Sequence, residues 1–249
     1  MALSPSDFVH LHVHSEYSLL DGANRIKPLI RHVKKLGQPA VALTDHGVMF
    51  GVHEFQEACA KEGVKPIVGC EVYITSTHRT KRGGNEQKNT HHLLLLAENY
   101  EGYRNLMKLS TLGHTEGYYY KPRIDFETLE QYKSGIVATT SCLAGLIPQA
   151  LVRGDEKRAA EYTGQFLDLF GKDRFFVELQ YHGIGDQLTA NKGLVKIARE
   201  QDLKLIATND CHYMRREDAD AHDVLLCVQM GACLGDQSRF RFDSNEFYV

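Results

Sequence analysis

Two short segments near opposite ends of the chain, Leu11-His12-Val13-His14-Ser15 and Asp210-Cys211-His212, place metal-ligand side chains two residues apart. In an extended strand, residues i and i+2 face the same way. Each segment therefore aims a pair of polar groups at one point. Both pairs can serve one site only if the fold brings the two ends of the chain side by side. His10 extends the first register, so three imidazoles can line one face. Between the two segments, ligand-type residues recur just after apolar runs: Thr44-Asp45-His46, Gly69-Cys70-Glu71, His91-His92 and Ser141-Cys142. The rest of the chain reads as a scaffold that gathers these strand ends.

Strands are predicted over 8–14, 39–44, 64–74, 91–97, 135–141, 174–180 and 203–209. Ile26, Leu29, Ile30, Val33 and Leu36 recur at helical spacing, with Asn24 as the expected N-cap and Gly37 as the stop. Further helices are predicted over 52–61, 100–112, 126–132, 146–151, 156–170, 187–200 and 218–230. Strands alternating with helices imply parallel β/α units in an α/β fold. In a β/α barrel the loops after the strands converge at one end, which is where the ligand-type residues fall. His12 and His14, inside or at the end of the first strand, are the partial exception.

The 249 residues suit one large α/β domain or two small ones. No repeat or low-complexity linker divides them, so one domain over 1–249 is expected, with a polar, aromatic tail from about residue 235 that shows no clear pattern. The formal net charge of −3 argues against broad nucleic-acid binding, so any contact with nucleic acid must be local. None of the six cysteines forms a CxxC pair, which suggests buried or ligating thiols in a reducing compartment. Met1 to Asp7 have no leader-peptide character, and no apolar run approaches the roughly 20 residues of a membrane span. A cytoplasmic protein with no membrane partner is expected.

An isolated histidine is more often a satisfied core residue than a ligand. The metal reading gains because Asp210 and His212 repeat the geometry of His12 and His14, and because other strands end in His46, Glu71, His92 and Cys142. Burying so many ionisable groups without compensation is costly, and metal ions compensate them directly. Imidazole, carboxylate and thiolate together suit zinc, with manganese or iron as alternatives. One four-coordinate ion uses about four protein ligands, so this set implies two or three ions. Clustered divalent ions serve phosphate-ester hydrolysis.

The runs His12-Val13-His14-Ser15, Asp21-Gly22, Leu43-Thr44-Asp45-His46-Gly47, Gly69-Cys70-Glu71, His92-Leu93, Cys142 and Thr208-Asn209-Asp210-Cys211-His212 resemble the PHP (polymerase and histidinol phosphatase) family. Tyr17-Ser18-Leu19-Leu20-Asp21-Gly22 and the stretch Phe240 to Tyr248 are most like the branch found at the N-terminus of the bacterial DNA polymerase III alpha subunit. The resemblance covers essentially the whole chain. It implies a distorted (β/α)7 barrel with nine metal ligands: His12, His14, Asp21, His46, Glu71, His92, Cys142, Asp210 and His212. By the family pattern His12, His14 and Asp210 hold one ion, and Asp21, His46 and His212 a second. His92 and Cys142 hold a third, with Glu71 bridging. Many family members carry histidine where Cys142 stands. Asp210, His14 and His212 are the expected catalytic residues. In the polymerase-linked branch the implied reaction is 3′–5′ exonuclease proofreading of DNA 3′ ends. The implied partner is a polymerase body that the tail would lead into, the chain then being a piece of a longer protein.

Other residues have a plainer reading beside the functional one. His10 and His91 fall outside the ligand pattern and read as supporting or surface residues. Asp45 and Asn209 adjoin ligands and either orient them or serve as turn residues. Glu178 is an additional site carboxylate or a supporting one. Tyr118, Tyr119, Tyr120, Lys121 and Arg123 either stack on single-stranded DNA or form a packed loop. Arg79, Lys81, Arg82 and Lys88, in the polar stretch 75–89, either touch phosphates or form an exposed and mobile basic loop, the second being the reading of those residues taken alone. Two other functional readings remain open: a metal-stabilised interaction module of a polymerase, and a free-standing hydrolase of small esters.

Overall fold

The computed structural model describes residue 4 and residues 7–249. Residues 1–3, 5 and 6, part of the segment expected to lack leader character, lie outside the described residues. The elements in chain order are α1 (Ile26–Lys35), β1 (Ala40–Leu43), α2 (Val52–Glu62), β2 (Lys65–Ile74), β3 (His91–Ala97), α3 (Tyr100–Thr115), β4 (Tyr118–Tyr119) and β5 (Lys121–Ile124). There follow α4 (Phe126–Tyr132), β6 (Ile136–Thr139), α5 (Leu146–Val152), α6 (Glu156–Arg174), β7 (Phe175–Leu179), α7 (Gly185–Gln201), β8 (Leu205–Ala207) and α8 (Ala219–Met230).

The sheet runs β4-β5-β2-β3-β6-β7-β8, with β1 paired to the first half of β2. The fold is α/β, a distorted barrel in which residues 10–15 supply the missing stave. His10 bridges Val41 of β1, and Val13 bridges Cys211 just beyond β8, both in parallel. The first segment is thus not a regular strand, as its alternation predicted, but a run of isolated bridges that closes the ring. It makes its backbone bonds to both sides: Ala42 N to His10 O at 2.8 Å, and Cys211 N to His12 O at 3.0 Å. With it the ring has the seven staves expected.

The expectation of parallel strands fails at β3, which runs antiparallel to both β2 and β6. The chain from β2 to β3 is a loop without the crossover helix that usually returns a strand to the parallel direction, and it re-enters the sheet beside β2 running the other way. α1 begins at Ile26 with Arg25 in the cap position and no side-chain cap bond. Asn24, expected there, instead donates through its amide to His14 O at 2.9 Å. α6 extends beyond the predicted end at 170, across a kink at Gly171.

Two apolar clusters lie outside the ring. The larger packs Leu106, Leu129, Ile147, Phe166 and Leu194 against the strands, and the smaller packs Ile26, Ile30, Phe55 and Val41 with Val13 and Cys211. Among the described residues no helix is long and apolar enough to cross a membrane. All six cysteines are free.

The 75–89 segment is less open than its composition suggested. Arg123, expected as a possible nucleic-acid contact, is fully buried and donates to the carbonyls of Gly117, Glu86, Arg79 and Lys81. Arg79 pairs with Glu116 at 2.7 Å and Asp125 at 3.2 Å, and Arg82 caps Glu116 O at 2.7 Å. The charge of Arg79 is neutralised internally and the loop is tied down by its own arginines. The tail is likewise not patternless: His212 N donates to Phe247 O at 2.8 Å, and the Asn209 amide to Glu246 O and Tyr248 O, each at 2.7 Å.

Candidate metal centre

Strand alternation explains how the site is lined. In residues 12–14 and 210–212 the middle residues, Val13 and Cys211, are fully buried in the smaller apolar cluster. Their neighbours, one residue away on either side, must then face the barrel interior. The same alternation puts Cys70 into the larger cluster and Glu71 inside. His46 follows β1 and bridges Glu71, and Gly47 turns the chain away at φ 65°, a value that glycine adopts without strain.

Glu71 is at the centre. Its Oε1 lies 3.1 Å from His12 Nε2, and its Oε2 lies 2.8 Å from His46 Nδ1 and 3.1 Å from His92 Nδ1. Ser141 Oγ donates to Glu71 Oε1 at 2.8 Å, and Cys142 Sγ is 3.4 Å from the same oxygen and 3.5 Å from His92 Nδ1. Asp210 Oδ1 is 3.3 Å from His12 Nε2 and 3.1 Å from His14 Nε2. Asp21 is 3.0 Å from His46 Nε2 and 3.8 Å from His212 Nε2. All nine residues singled out from the sequence therefore meet in one cluster. Donor atoms of His14, His46 and His212 lie within 4.8 Å of one another, as do those of His12, His14 and Glu71, and those of His46, Glu71 and His92. His14 thus links groups that the resemblance divided between ions.

His12 Nε2, His46 Nδ1 and Glu71 Oε2 are buried and have no directed hydrogen bond, despite their short separations. Atoms that lie close together but are misaligned for hydrogen bonds share a space rather than a bond. Imidazole, carboxylate and thiol around such a space fit divalent ions of the zinc and manganese type. The electrostatics agree. Burial opposes ionisation of Glu71 and Asp210, yet the histidines around them hold both carboxyls well below the usual range. Burial would lower His46, but Asp21 and Glu71 raise it to about 10. His14, buried and facing His46 and His212, is lowered to about 3. Burial and the charges of Glu71 and Asp210 push the Cys142 thiol well up. So dense a set of anions needs cations among them.

A second layer fixes the ring nitrogens. Glu178 Oε1 lies 2.8 Å from His12 Nδ1 and also accepts from Gln180 at 3.0 Å and from Thr208, while Thr139 donates to Oε2. Glu178 is therefore a support for His12. Asp45 accepts from Ser15 N at 2.6 Å and Ser18 Oγ at 2.8 Å, and Ser18 Oγ lies 3.1 Å from His14 Nδ1. Asp45 orients a ligand-type residue through Ser18, and Asn209 ties down the tail. His10 is buried against Cys211, its Nδ1 3.3 Å from Sγ. Ser18, Ser141 and Thr208 stood inside the runs quoted from the sequence and Thr139 outside them, but none was given a role, because hydroxyls this common show one only through what they touch. His222 was also missed. Its Nε2 lies 2.7 Å from Asp21 O, and its ring packs on His212 and Phe242.

The PHP domain family model matches residues 10–182. The chain is 45% identical over 243 residues to the DNA polymerase III subunit alpha of Treponema pallidum, covering 97% of this chain and 21% of that protein. The subunit of Aquifex aeolicus is 45% identical over 247 residues, covering 96% and 21%, and that of Thermus aquaticus 44% over 246 residues, covering 97% and 20%. The chain thus spans about a fifth of the length of the curated relatives it matches. Among solved structures it is similar to one described as a metal-dependent phosphoesterase from Bifidobacterium adolescentis, with a TM-score of 0.50 and 14% identity over 82% of this chain and 87% of that one. An amidohydrolase from Chromobacterium violaceum gives a TM-score of 0.51 and 15% identity with the same coverage. At such identity these two show the fold alone.

Proposed function

The chain belongs to the PHP domain family, and on that premise we propose that it is a multinuclear metal-dependent phosphoesterase acting as a 3′–5′ exonuclease on DNA ends within a polymerase alpha subunit. The observation that carries this reading is the meeting of nine ligand-type side chains around buried atoms that have no directed bond. His12, His14 and Asp210 would hold one ion, Asp21, His46 and His212 a second, and His92 and Cys142 a third, with Glu71 shared. Two or three divalent ions bound there would supply activation of water and stabilisation of the leaving oxygen.

The protein's own groups orient and hold protons. Glu178 accepts a hydrogen bond from His12 Nδ1 and leaves Nε2 facing the cluster. Asp45, acting through Ser18, does the same for His14. His212 is fixed by its Nδ1, 2.8 Å from Asp210 O. Asp210 is kept ionised by His12, His212 and His14, as a ligand to a cation must be, and His14 and His212 lie beside it; these three are the residues on which turnover is expected to depend. The net charge of −3 gives the chain little general attraction for DNA, so small activated phosphodiesters are expected to be comparatively good substrates.

The test is elemental analysis after metal-replete purification, with hydrolysis of an activated phosphodiester and of a DNA 3′ end. Two or three ions per chain are expected. Turnover should disappear in His14→Ala, in Asp210→Ala and in chelator, while the fold survives. Activity that persists in both variants refutes the assignment. Ions without turnover of either ester would leave a metal-stabilised module of the polymerase.

A further inference from the structure

We propose that the β4–β5 hairpin, Tyr118–Ile124, is an arm that holds single-stranded DNA at the mouth of the metal centre, with Lys121 on a phosphate and Tyr120 under a base. The proposal rests on the phosphoesterase reading and adds to it how the strand is held. The sequence offered five residues for such a role, and the structure separates them. Arg123 is buried and spent on carbonyls, and its guanidinium lies 5.2 Å from the centre of the Tyr119 ring. Arg82 lies 5.8 Å from the same ring. Arg123 is spent inside the fold, and Tyr119 is half-buried between the two guanidinium groups, with the Tyr120 ring edge-on against it, centroids 4.7 Å apart.

Three residues are left over. Tyr118 is 55% exposed and Tyr120 59% exposed, and Lys121 is exposed as well. Lys121 has no carboxylate partner among the described residues. Its ammonium lies 5.1 Å from the centre of the Tyr73 ring. Tyr73 is buried, and its ring packs against two cluster histidines, with centroids 6.0 Å from His46 and 5.2 Å from His92. One aromatic ring thus separates the free cation from the cluster.

The hairpin is also mechanically joined to the site. A side-chain carbon at Gly47, next to His46, would come within 2.9 Å of Pro122. The Gly47 carbonyl is held by Ser110 Oγ at 2.8 Å and approached by His114 Nε2 at 3.2 Å, both on α3. Tyr118 stacks on His114, with centroids 6.3 Å apart. Tyr120 has φ 62°, in the left-handed region that a bulky side chain rarely adopts. Backbone strain beside a functional centre is a pointer to use, here alongside exposure and free charge.

A cation and exposed aromatic rings side by side are what a single strand needs, since every base has a face to stack and every linkage a charge to neutralise. A duplex hides its base faces. A lysine resting on a tyrosine ring is weakly held and free to move onto a phosphate.

The experiment is an anisotropy titration of the metal-loaded chain with a labelled single-stranded DNA whose last 3′ linkage is a phosphorothioate. Tyr120→Ala is expected to weaken binding about fivefold or more. Lys121→Gln should weaken it too and reduce the slope of log affinity against log salt by about 0.7, the single-strand value for one phosphate contact. Lys121→Arg should restore both. Tyr100→Ala, a change to another exposed tyrosine, is the control and should bind like the parent. Equal binding by the parent, Tyr120→Ala and Lys121→Gln overturns the proposal, as does an unchanged salt slope or a preference for duplex or RNA. If the parent hydrolyses no ester yet binds the strand through these residues, the phosphoesterase reading falls and the arm stands.

Discussion

Replacing Glu178 by glutamine isolates the charge behind His12. Glu178 is 1% exposed and receives four donors: His12 Nδ1, Gln180 Nε2 and Thr208 Oγ1 at one oxygen, and Thr139 Oγ1 at the other. Glutamine fills the same volume. With its oxygen toward His12 it keeps three of the four bonds, and the Thr139 hydroxyl can turn to accept from the new amide. Glu178→Gln should therefore fold and keep the His12 tautomer while losing the negative charge that makes Nε2 a stronger ligand. Outer-layer changes of this kind lower metal affinity by about 10- to 100-fold, or about 1.4–2.7 kcal/mol. The conservative variant should fall at the lower end. Glu178→Ala should fall at the upper end and also lose about 1–3 kcal/mol of stability, because buried donors lose their acceptor. A competition titration against a chromophoric zinc chelator reads the affinity, and urea unfolding of the metal-free chain reads the stability. Affinity in Glu178→Gln within twofold of the parent, with an intact fold, would refute the role given to the Glu178 charge behind His12.

Cys142→His should keep full metal content, whereas Cys142→Ala should lose about one ion per chain by elemental analysis; rapid alkylation of Cys142 in the loaded protein would contradict its assignment. Metal binding should release protons and tighten as pH rises, because His46, held near 10, and His12, raised by Asp210, Glu71 and Glu178 against the effect of burial, are charged in the metal-free chain and must become neutral to ligate. Calorimetry in two buffers of different ionisation enthalpy counts those protons, and a pH-independent affinity would exclude the mechanism. Arg123→Met should destabilise the chain by about 2–4 kcal/mol in urea unfolding, since four carbonyls lose their donor; a loss under 0.5 kcal/mol would show that the 75–89 loop does not depend on it.

The sequence by itself determined the seven staves, most of the helices and the ligand-type cluster. The reason is periodicity. Val13 and Cys211 are apolar and their neighbours are not, so burying the former turns His12, His14, Asp210 and His212 inward whatever else the chain does. Family resemblance added Asp21, whose loop position has no period to read. Only the tertiary structure decided what depends on direction and on distant partners. The antiparallel course of β3, the closure of the ring by bridges at residues 10 and 13, and the burial of Arg123 rest on contacts between segments far apart in sequence. The same holds for the helpers of the site. Glu178 acts on His12 across 166 positions and Ser18 donates to Asp45 across 27, distances over which a sequence carries no local signal. A carboxylate on a strand announces that it must be satisfied, but the fold alone chooses the partner.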